Sequence, residues 1–182
     1  MRNALGMIET MSIPLGIQAG DAMLKAAAVD LVAAQAACAG KYIVIVEGEV
    51  AAVRSSVEAG KASAGTALVD SLVIPGVHEQ VAPAISAAAE VVQAGALGVM
   101  ESYSMCAAVL AADAAVKTAA VSLIEVRLGR GLGGKAFVIL TGDVAAVQSA
   151  VKAAEGLEEV QGMFGASAVI PSPHKDIIDA IC

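Results

Sequence analysis

Three cysteines, two histidines and one glycine-rich segment are the residues whose types and spacing could carry chemistry. Cys38, Cys106 and Cys182 form no C-x-x-C pair, so no dithiol couple or zinc ribbon is spelled out. An odd count is no disulfide framework either, and a reducing compartment leaves all three as thiols. Taken alone, such a cysteine is ordinarily unliganded. His78-Glu79 and His174-Lys175 invite a metal or general-base reading, but H-E-x-x-H fails after His78, where Ala82 takes the last position. Both histidines follow a turn proline, which points to a local structural role. Gly129-Arg130-Gly131-Leu132-Gly133-Gly134 satisfies G-x-G-x-x-G literally. That fingerprint must open a helix, and here it runs into a strand expected over Ala136 to Leu140. There is no G-x-S-x-G and no set of acids clustered with a base, so no enzyme is expected.

The elements that position these residues must be built from an unusually apolar chain. Of 182 residues 58% are apolar even before the 18 glycines are counted, above the ~45–50% usual with glycine included. Charges nevertheless interrupt every stretch before the ~20 apolar residues a bilayer needs, and the longest uncharged run, Val160 to His174, holds two prolines. Disorder is excluded by the same apolar content. The net charge of -7, without a Lys/Arg-rich run, makes nucleic acid an improbable partner. Glu9 interrupts any secretory core at the N-terminus, so a cytoplasmic location is expected. Only 2% of residues are aromatic, so the core must close with Ala, Val, Ile and Leu.

The chain repeats itself. Ala4-Leu-Gly-Met-Ile-Glu-Thr10 returns 92 positions on as Ala96-Leu-Gly-Val-Met-Glu-Ser102, and Asp21-Ala-Met-Leu-Lys25 returns at the same offset as Asp113-Ala-Ala-Val-Lys117. Gly40-Lys41 through Gly48 matches Gly134-Lys135 through Gly142 at offset 94, and Val73-Ile-Pro75-x-x-His78 matches Val169-Ile-Pro171-x-x-His174 at offset 96. Two residues are thus inserted between Leu123 and Gly134. Two domains follow, 1–92 and 96–182, with a boundary near Gln93 to Gly95.

Within each copy the hydrophobic period alternates. Leu5 to Met11 reads as a strand; Ile17, Gly20, Leu24 and Ala28 recur at helical spacing, with Asp21 and Lys25 as an i,i+4 pair on another face. A short strand around Val29 to Val32, a small-residue turn at Cys38 to Gly40 and a β-branched strand from Tyr42 to Val46, ended by Gly48, come next. Val50, Val53 and Val57, echoed by Val144, Val147 and Val151, mark a second helix, with Asp143 at an N-cap position. Leu72 to Ile74 is a last strand closed by Pro75. The fold class is therefore α+β, a tandem duplication of a ferredoxin-like β-α-β-β-α-β unit. The helix faces left exposed read as mostly Ala and Gly, which implies wide oligomer interfaces.

Taken in order and repeated, these motifs resemble the bacterial microcompartment shell domain, over nearly the whole chain. The chain is similar to the tandem-domain, non-permuted, trimeric shell proteins, most of all to the T-type kind of propanediol-utilisation microcompartments. That resemblance implies a homotrimer forming a pseudohexagonal tile around a central pore, set among neighbouring hexameric shell proteins in a cytoplasmic compartment. It places Lys25 and Lys117, with His78 and His174, at the tile edge. The family's Pro-Arg-Pro-His is here Pro75-Gly-Val-His78 and Pro171-Ser-Pro-His174, so the edge arginine is missing twice.

The resemblance also puts Ala37, Cys38, Ala39 and Gly40, and in the second copy Arg130, Gly131, Leu132 and Gly133, at the pore. One Cys38 per chain near a threefold axis gives three thiolates, enough for three irons of a cubane cluster. The T-type kind implies a [4Fe-4S] cluster here, one per trimer, held by a Cys-Pro-Gly-Lys turn; this chain has Cys38-Ala39-Gly40-Lys41. The expected function is a structural shell tile passing electrons across the shell, with encapsulated redox enzymes as partners. Two alternatives stay open: a tile whose unoccupied pore conducts small metabolites, and a soluble trimeric ligand sensor that forms no sheets. Cys106, on the apolar helical face, is expected in the core, and Cys182 has no evident partner.

Overall fold

A computed structural model describes residues 4–90 and 95–181 of the chain. It divides into two compact units, Met1–Val77 and His78–Cys182.

In the first unit the order is β1 (Ala4–Thr10), α1 (Ile13–Ala26), β2 (Val29–Ala37), β3 (Lys41–Gly48), α2 (Val50–Ala64) and β4 (Leu68–Pro75). The sheet order is β2-β3-β1-β4, antiparallel between neighbours. Strand alternation sends Ala4, Ile8, Val44 and Val46 toward the helices, where Ala19 and Met23 of α1 and Val53, Val57 and Ala64 of α2 complete the core. Gly6 lies on this helix-facing side, and an added Cβ would come within 2.6 Å of both Val53 and Val57, so the helix rests almost on the strand backbone.

The second unit opens with a short helix, α3 (Val81–Ile85), and then repeats the pattern: β5 (Ala96–Ser102), α4 (Met105–Thr118), β6 (Val121–Leu128), β7 (Ala136–Gly142), α5 (Val144–Glu155), β8 (Phe164–Ile170) and a closing α6 (Lys175–Ile181). Its sheet order, β6-β7-β5-β8, is the same. Ile181 of α6 packs on the sheet face made by Leu97, Ile124 and Ile139. The expected β-α-β-β-α-β unit is therefore present twice.

Caps explain where the first helices begin. Ser12 accepts the N–H of Leu15, and Ser104 accepts that of Ala107, each from the N-cap of α1 and α4. Asp143 stands at the N-cap of α5 as expected, but its side chain makes no capping hydrogen bond.

Three readings of the chain need correction. The buried face of α1 is Gly16, Ala19, Gly20 and Met23, whereas Ile17 and Leu24 of the expected stripe are exposed and Ala28 lies beyond the helix. Small residues win because they let the helix lie close to β3: a Cβ on Gly16 would meet Tyr42 and one on Gly20 would meet Val44. The outward face of α1 is accordingly not mostly Ala and Gly, since Ile13, Leu15, Ile17 and Leu24 are all exposed there. The second strand is also longer than expected, because its alanine-rich half still pairs with β3 as far as Ala37.

The passage from unit to unit falls at Val77 and His78, ahead of the Gln93 to Gly95 segment, of which residues 93 and 94 lie outside the described residues, as does Cys182. The reason is local: residues from His78 onward bond within the second unit. The His78 N–H donates to Asp113 at 2.8 Å, and Gln80 Oε1 accepts the N–H of Leu123 at 2.8 Å.

Candidate functional site at the hairpin turns

Cys38, Ala39 and Gly40 form the turn joining β2 to β3, with Ala37 and Lys41 as the last registered pair. Ala39 (φ 61, ψ 29) and Gly40 (φ 73) are both left-handed, the backbone of turns that suit twisted antiparallel strands. Glycine takes this conformation without penalty; alanine carries a cost of about 1 kcal/mol. A proline at position 39 could not take it at all, since its ring holds φ near about −65°. Alanine in place of the proline of the Cys-Pro-Gly-Lys pattern is therefore what permits this backbone here. Cys38 is half-buried at the hairpin tip, and both it and Cys106 are thiols outside any disulfide. Cys106 is buried in α4, as expected for a core residue.

The equivalent turn of the second unit, between β6 and β7, spans residues 129–135, four residues longer than the first, and the inserted pair accounts for two of them. Gly129, Gly131, Gly133 and Gly134 all have positive φ, and added Cβ atoms at 131, 133 and 134 would meet nothing within 4 Å. Arg130, Gly131 and Gly133 are exposed and Leu132 is half-buried. The segment leads into β7, so it opens no helix.

An ion pair stands at the foot of each turn. Lys41 Nζ donates to Glu9 Oε1 at 2.5 Å, with side-chain exposures of 14% and 1%. Lys135 donates to Glu101 Oε2 at 2.9 Å, with exposures of 42% and 41%. The hydrogen bond and charge of Glu101 raise the Lys135 pKa above its usual 10.5, and the Tyr103 ring lies 5.9 Å from the ammonium. Neither pair was foreseen. Strand register is the signal that finds them: Glu9 lies opposite Ile43, which places Lys41 two residues along on the same sheet face.

The candidate edge residues are placed unequally. Lys25 donates to Asp21 at 2.6 Å on an open surface, with 74% and 59% of the side chains exposed. Lys117 donates to Asp113 at 2.5 Å, but Asp113 is buried and its other oxygen receives the His78 N–H. His78 and Lys117, expected independently, are thus brought to one carboxylate, while Lys25 and His174 make separate surface contacts. Both histidines use Nδ1 the same way, accepting the N–H of Gln80 and of Asp176, two residues on.

Among the described residues no three His, Cys, Asp or Glu side chains of one chain converge as a metal site. No helix among them is long and apolar enough to cross a membrane.

The BMC domain model matches residues 4–77 and 96–173. The chain is 41% identical over 177 residues to the bacterial microcompartment shell protein PduT of Citrobacter freundii, covering 97% of this chain and 96% of that one. It is 34% identical over 191 residues to the carboxysome assembly protein CcmO of Synechococcus elongatus, covering 98% of this chain and 68% of that one. Among solved structures, a microcompartments protein from Desulfitobacterium hafniense superposes with a TM-score of 0.93 at 49% identity, covering 98% of this chain and 99% of that one. Two matched domains, in the order and with the strand pairing described above, show that the chain belongs to the BMC-domain family of bacterial microcompartment shell proteins, as a tandem of two such domains.

Proposed function

We propose that this structural shell protein assembles as a homotrimer, a pseudohexameric tile of six domains with the two hairpin turns of each chain rimming a central pore. In it Cys38 of each of three chains holds one [4Fe-4S] cluster. The observation that carries the reading is the duplication itself: a thiol sits at the tip of the first turn and at no position of the second. Six domain positions around an axis then offer three thiols, the number that leaves one iron of a cubane open to another ligand. The donor set fits only across chains, because a single chain brings no metal site together among the described residues. A half-buried cysteine at a hairpin tip is where a side chain can meet its copies.

When bound, such a cluster supplies one-electron transfer between the two faces of the shell. The chain's own contribution is to hold the thiol and to close the surroundings of the axis with Ala37, Ala39 and Gly40. At the tile edge Lys25, open to solvent beside Asp21, faces neighbouring hexameric shell proteins; Lys117 contributes less, being tied to Asp113. Redox enzymes inside the compartment are the electron partners. The test is iron and sulfide content of the anaerobically purified trimer, compared with Cys38→Ser.

A second reading, an open pore for small polar metabolites, draws on the second turn. Gly131, Gly133 and Gly134 make a thin rim with open space at each Cβ position, and the exposed Arg130 offers positive charge. Ion flux through the tile in a planar bilayer or vesicle, unchanged in Cys38→Ser, is the result that favours it.

A further inference from the structure

The repeat has placed the same ion pair in two different surroundings. In the first unit Glu9 is 1% exposed and Lys41 14%; in the second, Glu101 and Lys135 are both about two-fifths open to solvent. Lys41 is the first residue after the Cys38 turn, and its register partner across the hairpin is Ala37, the residue just before Cys38. Glu9 belongs to β1, the strand next to β3, and stands opposite Ile43. The pair therefore ties the foot of the Cys38 turn to the neighbouring strand, on the sheet face away from α1 and α2.

Burial makes this tie demanding. Glu9 Oε2 is buried and has no hydrogen-bond partner among the described residues. The Lys41 ammonium is then the group that compensates the enclosed carboxylate, and separating them strands a charge away from water.

We propose that Glu9 and Lys41 are positioning residues for Cys38: their enclosed ion pair fixes the first hairpin turn to the neighbouring strand. Three thiols meeting on one small group need a preorganised backbone, since a site loose by an ångström loses its ligand geometry. This purpose rests on the reading of Cys38 as a ligand; the mechanical claim does not.

The test compares Lys41→Met, Lys135→Met and the charge exchange Glu9→Lys with Lys41→Glu in the full-length assembled protein. One readout is amide hydrogen exchange over residues 38–41 and 132–135, and the other is iron retained after anaerobic reconstitution. Lys41→Met is expected to speed exchange at the first turn by at least about tenfold and to lower bound iron, the charge exchange to recover part of both, and Lys135→Met to alter neither at the first turn. Should Lys41→Met not fold, Glu9→Gln, which keeps the side-chain shape, gives the same comparison. Unchanged exchange at the Cys38 turn in the folded variants, or equal acceleration of both turns by either lysine variant, overturns the proposal. If the parent protein takes up no iron, the ligand reading fails on its own, and the exchange data still decide whether the pair is the anchor.

Discussion

The backbone N–H of His78 donates to Oδ1 of Asp113 at 2.8 Å, and Oδ2 of that carboxylate accepts from Lys117 at 2.5 Å. Among the described residues its counterpart Asp21 holds only the exposed Lys25. Removing Asp113 leaves a backbone donor and a lysine without their shared acceptor, so Asp113→Ala is expected to cost about 2–3 kcal/mol. Asp21→Ala is expected to cost less than about 0.5 kcal/mol. Urea denaturation of the two variants checks this, and equal losses would contradict the unequal roles assigned to the repeated pair.

Ala39 sits at φ 61 with no glycine freedom. Ala39→Gly is expected to raise stability by about 0.5–1 kcal/mol by removing that cost. Ala39→Pro is expected to force the turn out of this conformation, since the φ of 61 is closed to proline. Thermal melting measures the first effect, and amide exchange at residues 38–41 the second.

Gly6 and Gly98 occupy matching positions under their helices. An added Cβ on Gly6 lies 2.6 Å from Val53 and Val57, and on Gly98 it lies 2.8 Å from Leu140 and 3.0 Å from Val147. Alanine at either site is expected to cost about 1–3 kcal/mol through overpacking. Loss of stability in both variants, read as a lowered denaturation midpoint, is the expected result; a neutral Gly6→Ala would show that α2 can lift from the strand.

How much of this was legible in the sequence depends on the kind of residue. Strand ends were, because Gly48 and Pro75 punctuate them and the repeat shows each element twice. The hairpin turn at Cys38 was legible for the same reason. The buried face of α1 was not: hydrophobic spacing selects Ile17 and Leu24, whereas packing against Tyr42 and Val44 selects Gly16 and Gly20. Close approach is a property of missing atoms, which a hydrophobic pattern does not register. The Glu9–Lys41 pair was hidden differently. Its members are 32 residues apart and meet only once strand register is fixed, and nothing in the repeat tells that one copy of the pair is enclosed and the other open.

The Lys135 ammonium gives a pH-dependent signature of that open pair. Its pKa is raised above 10.5, first by the hydrogen bond to Glu101 and then by that carboxylate's charge. The contribution is fully present below 10.5 and is lost as pH rises through the raised value. Titration of the Lys135 side chain by NMR is expected to return it toward the ordinary lysine value in Glu101→Gln. An unmoved titration in that variant would show that the pair does not persist in solution.

The central claim is that three copies of Cys38 meet at one iron-sulfur cluster, and anaerobic reconstitution of the purified protein followed by iron, sulfide and light-scattering analysis tests it most directly. The account predicts about four irons per three chains, with visible charge-transfer absorbance, and loss of both in Cys38→Ser while the trimer persists. An intact trimer that stays free of iron, or a Cys38→Ser trimer that keeps it, contradicts the account.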